Sequence, residues 1–256
     1  MSKNVAVIIP ARYASTRLPG KPLISLAGKP MIQHVYERAS QADVTQVVVA
    51  TDDDRIAQTV NNFGGKVIMT SANHLSGTDR VAEAARELQA DLIINVQGDE
   101  PLLDPNSINR AVEPMLTDDS IEMATLAHPM TDPKDVLNTN AVKVVVDQQG
   151  FALYFSRCPI PFDRNQFGTH LSEKVVEQVP SGMLRHIGLY VYRADFLQRF
   201  AKLPPTQLEQ LESLEQLRAL EHGHKIRVVS INKTVMGVDT PEDVEKVIGM
   251  LEGNQI

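Results

Sequence analysis

The sequence predicts an α/β fold built around a mixed, mostly parallel sheet. Three segments rich in β-branched residues carry this prediction: the continuous apolar run at residues 5–9 and the largely apolar segments 46–50 and 92–96. Such runs are typical of parallel strands that are covered on both faces. Segments with helical spacing lie between them, and this alternation of strand and helix favours a doubly wound sheet.

Helices and a short strand complete this part of the pattern. The sequence predicts helices over residues 31–39, about 54–63 and 79–89, and a short strand at 66–69. In an open sheet of this kind the ligand lies beyond the carboxyl ends of the strands. We therefore expect the functional site in the loops that follow Ile9, Ala50 and Val96.

The middle of the chain has a different pattern, with strands and few helical signals. Strands are predicted over residues 121–127, 141–146 and 151–156, and the stretch 145–151 favours a hairpin because it contains Asp147 and Gly150. Residues 159–180 are polar and irregular. We interpret this region as an insertion or flap.

Regular spacing returns toward the end of the sequence. It predicts a helix over residues 208–221 and a strand over 225–231. The last helix is expected to begin after Thr240 as its N-cap, with Pro241 at the first position and Asp243 at the third.

The composition excludes several classes of function. The 256 residues are 43% hydrophobic, which is enough for one large α/β domain or two small ones. The formal net charge of −7 gives no general attraction for nucleic acid or an anionic membrane, so a phosphate-bearing substrate requires a local cluster of cations. No apolar run approaches a membrane span or a signal peptide, and we expect a soluble, cytoplasmic protein.

The sequence contains a single cysteine, Cys158. An intrachain disulfide is therefore impossible, and a cysteine-rich zinc site is excluded. We expect Cys158 to be a small buried apolar residue.

A basic loop follows the first predicted strand. Within residues 10–22 it carries Arg12, Arg17 and Lys21, with glycine and other small residues between them. Such a loop can wrap a triphosphate through charge-assisted hydrogen bonds. It is not a Walker A loop, because Ser15 and Pro22 replace the glycine and hydroxyl residue of that motif. The alternative is a solvated surface loop.

Two aspartates, Asp99 and Asp239, lie in loops that follow predicted strands. Mg²⁺ prefers one or two carboxylates and completes its shell with water and phosphate. The alternative to a metal-binding role is that each aspartate is only a turn residue. Glu100 is expected to point away from Asp99, and the acidic run at 52–54 is interpreted as a helix cap.

The segment IIPARYASTRLPGKPL resembles the signature loop of the sugar nucleotidyltransferase superfamily. Within that superfamily the chain is similar to the cytidylyltransferases that activate the acidic eight-carbon sugar 3-deoxy-manno-octulosonate (Kdo). Further blocks follow in the order of that family: HLSGTDR (74–80), NVQGDEP (95–101), HIGLY (186–190), LEQLR (214–218) and GVDTP (237–241). Together the blocks cover nearly the whole chain.

The resemblance implies a Rossmann-like nucleotidyltransferase fold with a mixed, mostly parallel central sheet and a β-rich dimerisation insertion. It implies one domain over residues 1–256, with an embedded sugar-binding and dimerisation region at about 125–190. The implied activity is transfer of CMP from CTP to the anomeric 2-hydroxyl of Kdo, with release of pyrophosphate, for lipopolysaccharide biosynthesis. Mg²⁺ is the implied cofactor and a homodimer the implied assembly.

The resemblance also implies roles for particular residues. The catalytic set is Lys21, Arg17, Asp99 and Asp239, of which the two aspartates bind the metal. The nucleotide set is Arg12, Arg17, Lys21, Ser76, Gly77, Arg80 and Gln97. The sugar set is Arg80, Gln97, Arg157, His186, Tyr190, Glu215 and Gln216. Without the resemblance, His186 and Tyr190 are equally typical of polar residues in a sheet, and Glu215 and Gln216 of a solvated helix face.

Two alternatives stay open at this point. In the first alternative, the chemistry is the same but the acceptor is sialic acid or a polyol phosphate, because fold analogy does not select the acceptor. In the second alternative, the chain binds or senses a nucleotide without catalysis. That hypothesis predicts loss of Lys21 or of one metal aspartate, and all three residues are present.

Overall fold

The computed structural model describes residues 3–14, 18–168, 176–232 and 237–253. The chain forms two compact units. The first comprises Met1–Val112, Leu189–Ala201 and Val235–Ile256, and the second comprises Glu113–Gly188 and Lys202–Thr234. The single domain over residues 1–256, with its embedded region at about 125–190, stays a prediction.

The elements are numbered in chain order. The strands are β1 (Val5–Ala11), β2 (Ser25–Leu26), β3 (Lys29–Pro30), β4 (Gln46–Thr51), β5 (Val67–Met69), β6 (Leu92–Asn95), β7 (Met123–Pro129), β8 (Lys143–Val146), β9 (Ala152–Ser156), β10 (Leu184–Arg193) and β11 (Ile226–Ser230). The α-helices are α1 (Met31–Ala39), α2 (Asp54–Asn62), α3 (Gly77–Ala85), α4 (Pro105–Thr117), α5 (Pro133–Leu137), α6 (Arg164–Phe167), α7 (Ala194–Phe200), α8 (Gln207–Glu212), α9 (Gln216–Glu221) and α10 (Pro241–Glu252). A 3₁₀ helix spans Lys21–Leu23.

The first unit contains a mostly parallel sheet. Strands β6, β1, β4 and β5 run parallel in that order, and residues 190–193 of β10 pair antiparallel with β6. Strands β1, β4 and β6 are buried along almost their whole length, as their largely apolar segments predict. The predicted mixed, mostly parallel sheet is confirmed.

The second unit is richer in antiparallel pairs. Strands β7 and β11 are parallel, whereas β8 pairs antiparallel with β9 and with the first residues of β10. The predicted hairpin is confirmed, because the Phe151 carbonyl accepts from the Asp147 N–H and Gly150 turns the chain with φ 81°. A separate apolar cluster is formed by Met130, Val136, Ala141, Phe167 and Met183.

The predicted continuous helix over residues 208–221 is wrong. Helix α8 ends at Glu212, Ser213 takes a left-handed conformation with φ 51°, and α9 begins at Gln216. The reason is tertiary. Arg157 donates from Nε to the Glu212 carbonyl and from Nη2 to the Ser213 carbonyl, and in an unbroken helix these oxygens would accept from the following turn.

Several elements have no counterpart in the sequence prediction. Helix α4 contains Pro114, which is unfavourable inside a helix, and β10 and α7 follow one another without a Gly or Pro boundary. The irregular stretch 159–180 includes the short helix α6, and its residues 169–175 lie outside the described part of the chain.

The predicted burial of Cys158 is wrong, because its side chain is exposed just beyond the end of β9. The described helices include none with the length and apolar character of a membrane span.

Candidate active site

A cavity of about 460 Å³ lies beyond the carboxyl ends of β1 and β6 in the first unit. It is lined by Pro10, Ala11, Arg12, Lys21, Pro22, His74, Leu75, Ser76, Gly77, Arg80, Gln97, Gly98, Asp99 and Asp239. The loops after Ile9 and Val96 therefore contribute as predicted. The loop after Ala50 contributes indirectly, through a contact to Arg80 described below.

Lys21 brings the two predicted metal ligands together. Its Nζ lies 2.5 Å from Asp99 Oδ2 and 3.1 Å from Asp239 Oδ1. A backbone hydrogen bond of 2.9 Å from the Val238 N–H to the Asp99 carbonyl joins the two loops that carry the aspartates. Residues 140 positions apart in the sequence are thus held around one cationic point.

Two glycines make this arrangement possible. Gly20 has φ 68° and precedes the 3₁₀ helix on which Lys21 is the first residue. At Gly98, a Cβ would lie 3.0 Å from the Pro10 carbonyl oxygen, so a larger residue would push apart the loops after β1 and β6.

Glu100 does not belong to this carboxylate pair, as the sequence analysis expected. It is buried, it is not among the described residues that line the cavity, and its Oε2 has no hydrogen-bond partner within the described chain. Burial, with a smaller contribution from the charge of Asp99, raises the pKa of Glu100 to about 8.

The donor set fits Mg²⁺ rather than a metal that needs a full protein cage. Within the described ranges, no group of three or more His, Cys, Asp or Glu side chains is placed to hold a metal ion. Asp99 and Asp239 form a pair, and both already approach one cationic group. Mg²⁺ accepts one or two carboxylates and takes its other ligands from water and phosphate.

The N-terminus of α3 forms another wall of the cavity. Ser76 caps the helix and forms a capping box with Asp79, which leaves Gly77 as the first helical residue. Glu83, one turn further on, accepts a hydrogen bond from the Ser71 N–H at 2.9 Å and pairs with His74. These contacts lower the pKa of Glu83 and hold the loop before α3 in place.

Arg80 is 5% exposed and also lines this wall. Its Nη1 donates to Thr70 Oγ1 at 2.6 Å, and its Nη2 lies 3.1 Å from Asp52 Oδ2. The interpretation of residues 52–54 as a helix cap is therefore right for Asp53, whose side chain accepts from the Arg55 N–H. Asp54 also fits it, as an acidic residue in the first turn of α2, whereas Asp52 precedes the N-cap and pairs with the Arg80 guanidinium.

The remaining predicted nucleotide residues have different outcomes. Arg12 is exposed and Gln97 half-buried, and both line the cavity. Arg17 lies outside the described residues. His74 and Leu75 also line the cavity and were not among the predicted site residues. They begin the block HLSGTDR, and this position could have identified them.

Of the predicted sugar residues outside this wall, Tyr190 belongs to the first unit. It pairs in register with Asn95, the last residue of β6, and its ring lies 6.1 Å from that of Tyr192. Tyr190 is half-buried. The antiparallel pairing of β10 with β6 therefore places Tyr190 beside the strand end that precedes Gln97.

Arg157 lies in the second unit, where its guanidinium contacts backbone carbonyls. It donates to Glu212 O at 2.7 Å, Thr139 O at 2.9 Å and Ser213 O at 3.2 Å. The Glu212 carboxylate in turn accepts from the Arg157 N–H at 2.9 Å and from Ser156 Oγ at 2.6 Å. Arg157 therefore holds together the end of β9 and the junction between α8 and α9.

His186 lies on the second-unit part of β10. Its Nε2 is 2.9 Å from Thr125 Oγ1, and its ring meets that of Phe155 edge-on with centroids 4.9 Å apart. Burial lowers the pKa of His186 to about 3, so the imidazole is neutral near pH 7. A neutral ring can bond a hydroxyl but does not supply a positive charge.

Glu215 and Gln216 begin α9 in the second unit. Glu215 Oε1 lies 3.8 Å from Arg218 Nη2. Gln216 is 4% exposed, and its Nε2 is buried without a hydrogen-bond partner among the residues that the structure describes. The solvated helix face considered as their alternative is therefore wrong for Gln216.

A mostly parallel sheet with Lys21, Asp99 and Asp239 gathered beyond its strand ends is the arrangement expected of a nucleotidyltransferase. A family model described as Cytidylyltransferase matches residues 6–226. A 3-deoxy-manno-octulosonate cytidylyltransferase from Geobacter sulfurreducens is 54% identical over 97% of this chain and 100% of its own length. The protein of the same name from Pseudoalteromonas atlantica is 49% identical over 96% and 97%. The chain therefore belongs to the 3-deoxy-manno-octulosonate cytidylyltransferase family.

Solved structures are also similar to this chain. A CMP:2-keto-3-deoxy-manno-octonic acid synthetase complexed with CTP has a TM-score of 0.89 and 45% identity, covering 98% of this chain and 99% of that one. A 4-diphosphocytidyl-2C-methyl-D-erythritol synthase from Anaerococcus prevotii has a TM-score of 0.61 at 11% identity, over 98% and 99% of the two chains. The second likeness shows the shared fold alone.

Proposed function

We propose that the chain transfers CMP from CTP to the anomeric 2-hydroxyl of Kdo, releasing pyrophosphate and forming CMP-Kdo. The observation that carries this proposal is the approach of Asp99 and Asp239 to Lys21 Nζ within one cavity. Relatives about half identical over nearly their full length carry the corresponding name, and the 45% identical structure is described as complexed with CTP.

The basic residues at the cavity bind the triphosphate. Lys21 and Arg12 lie on the same loop and both line the cavity, so they neutralise phosphate oxygens and stabilise the leaving pyrophosphate. Arg17, from the same loop, joins them in this proposal. The attack of the sugar hydroxyl on the α-phosphorus is in line. It needs positioning and charge neutralisation rather than a covalent intermediate with the protein.

Asp99 and Asp239 are the residues that would hold Mg²⁺. When bound there, the ion would neutralise phosphate charge and lower the pKa of the attacking hydroxyl. The two carboxylates themselves orient Lys21, since its Nζ hydrogen bonds to both.

For the sugar we propose the predicted set. Arg80 and Gln97 line the cavity, and Ser76 and Gly77 lie beside them at the start of α3. Arg157, His186, Tyr190, Glu215 and Gln216 complete the set by resemblance. The homodimer, the cytoplasmic location and the use of the product in lipopolysaccharide biosynthesis stay predictions.

The alternatives weighed from the sequence are less well supported. Sialic acid and polyol phosphates are acceptors for the same chemistry, but the 49–54% identical relatives are named for 3-deoxy-manno-octulosonate. A nucleotide-binding protein without catalysis has no need for a lysine and two aspartates that meet within hydrogen-bonding distance.

A pyrophosphate-release assay tests the proposal. The chain is incubated with CTP and Mg²⁺ and, in separate reactions, with Kdo, sialic acid or a polyol phosphate. We expect turnover with Kdo and at least about tenfold lower kcat/KM with the others, since a site built for particular hydroxyls rejects analogues that leave its polar groups unpaired. Turnover with sialic acid alone would redirect the assignment, and no turnover with any acceptor would refute it.

A further inference from the structure

Arg80 has a buried charge at the wall of the cavity. Its side chain is 6% exposed, and it lies on the first turn of α3, directly after the capped terminus at Ser76. A guanidinium that is removed from water requires an opposite charge or several hydrogen bonds, because its lost hydration is otherwise uncompensated.

The two partners of Arg80 come from neighbouring strand ends. Asp52 follows Thr51, the last residue of β4, and Thr70 follows Met69, the last residue of β5. Thr51 and Met69 are paired in register, and the Thr70 N–H donates to the Thr51 carbonyl at 2.8 Å. The pairing of β4 with β5 therefore sets the distance between Asp52 and Thr70 without any contact from α3.

This pair of partners fixes the direction of the guanidinium. Nη1 contacts Thr70 and Nη2 contacts Asp52, so both terminal nitrogens are tied to the sheet. A guanidinium is a rigid plane with five N–H donors. Once two contacts define its plane, the directions of its other donors follow, and Arg80 is one of the residues that line the cavity.

We propose that Asp52 is a positioning residue for the transfer reaction: it holds the Arg80 guanidinium so that Arg80 meets an oxyanion of a substrate in the cavity. The inference rests on the proposed function, since it requires that the cavity accept CTP and the acidic sugar. The oxyanion is either a phosphate of CTP or the carboxylate of the sugar, and the two sources give different kinetic results.

The experiment measures steady-state kinetics of the full chain for Asp52→Asn. Asp54→Asn is the matched control, because Asp54 is an exposed acid two residues away whose loss changes the net charge equally. We expect Asp52→Asn to lower kcat/KM by about 10- to 100-fold, since small misplacements of a binding group have effects of this size. The KM for CTP rises if Arg80 meets a phosphate, and the KM for Kdo rises if it meets the carboxylate.

A double-mutant cycle separates positioning from simple stabilisation. Arg80→Met keeps most of the side-chain volume and removes the group that Asp52 positions. In that background Asp52→Asn should change kcat/KM by less than about twofold, because interacting residues are not additive. An equal loss in both backgrounds, or kinetics of Asp52→Asn that match those of Asp54→Asn, would overturn the proposal.

Two further measurements keep the test decisive. If Asp52→Asn does not fold, Thr70→Val removes the other contact and should raise the same KM, by a smaller factor. Unchanged KM values in a folded Thr70→Val variant would then contradict the proposal. Absence of turnover by the unmodified chain refutes the proposed function itself, whereas normal turnover with an unaffected Asp52→Asn variant refutes only the role of Asp52.

Discussion

The predicted site residues of the first unit and those of the second unit have different surroundings. In the first unit, Lys21, Asp99 and Asp239 contact one another at the wall of a cavity. In the second unit, Arg157 binds three backbone carbonyls and His186 contacts Thr125. The comparison teaches that a motif residue can act through the scaffold as well as through a substrate.

The difference follows from where the residues lie. Loops beyond parallel strands leave their side chains partly exposed, as with Asp99 at 36% and Asp239 at 61%. Side chains within strands and at helix junctions are covered by neighbouring elements and bond whatever polar groups lie there. Gln216, at 4% exposure, is the most covered of them, although its Nε2 has no hydrogen-bond partner among the described residues.

The largest effect is expected at the carboxylate pair. Asp99→Asn removes a charge that pairs with Lys21 at 2.5 Å and that we assign to Mg²⁺. We expect kcat to fall by about 10²- to 10³-fold, the loss that follows removal of a main electrostatic group. Binding of Mn²⁺, measured by electron paramagnetic resonance, should weaken in parallel.

Asp239→Asn should act in the same direction, and Asp195→Asn is the control, because Asp195 is an exposed aspartate on α7. Unchanged metal affinity and unchanged turnover in both cavity variants would refute the metal assignment. The first-unit residues would then have no assigned role in binding a metal.

An intermediate effect is expected for Arg157. Arg157→Met removes three hydrogen bonds to carbonyls, including those at the break between α8 and α9. We expect a loss of about 2 kcal/mol in the free energy of unfolding, since a charged donor contributes more than a neutral one. Urea denaturation measures this loss, with Arg164→Met as an exposed arginine control.

The same variant sharpens the comparison. A raised KM for Kdo together with reduced stability would give Arg157 both roles, whereas a raised KM without loss of stability would contradict its scaffold role. Loss of stability with unchanged KM values would make it a residue of the scaffold alone.

An effect of similar size is expected at His186, but only when the pH falls below neutral. Its pKa is about 3 in the folded chain and about 6.5 when unfolded, so between these values the unfolded chain binds the proton more readily. The contribution of the neutral ring is present above pH 6.5 and is lost as the pH falls toward 3. At pH 5 the loss in the free energy of unfolding is about 2 kcal/mol.

Urea midpoints at pH 7 and pH 5 measure this loss. His186→Gln replaces the imidazole with an amide that does not titrate and can still bond Thr125, so it should show a smaller decrease between the two pH values. His222→Gln, at an exposed position, should behave like the unmodified chain. An equal decrease in all three proteins would show that His186 is already protonated at pH 5 in the folded state. His186 would then behave like an exposed side chain.

Local patterns were sufficient for much of the fold. The buried strands β1, β4 and β6, helix α1 and the cap at Thr240 follow from apolar spacing and from short-range hydrogen bonds, which the sequence records directly. The break in the predicted 208–221 helix could not be predicted in this way, because Arg157, which donates to the Glu212 carbonyl, lies more than 50 positions earlier.

The sequence by itself determined the strand and helix alternation, the cationic loop with Lys21 and the presence of Asp99 and Asp239. Only the tertiary structure decided that these two aspartates meet at one ammonium group, and that Asp52 serves Arg80 rather than a helix end. The physical reason is range. Propensity and spacing act within a few residues, whereas the approach of charges in a cavity depends on which strand ends the sheet places side by side.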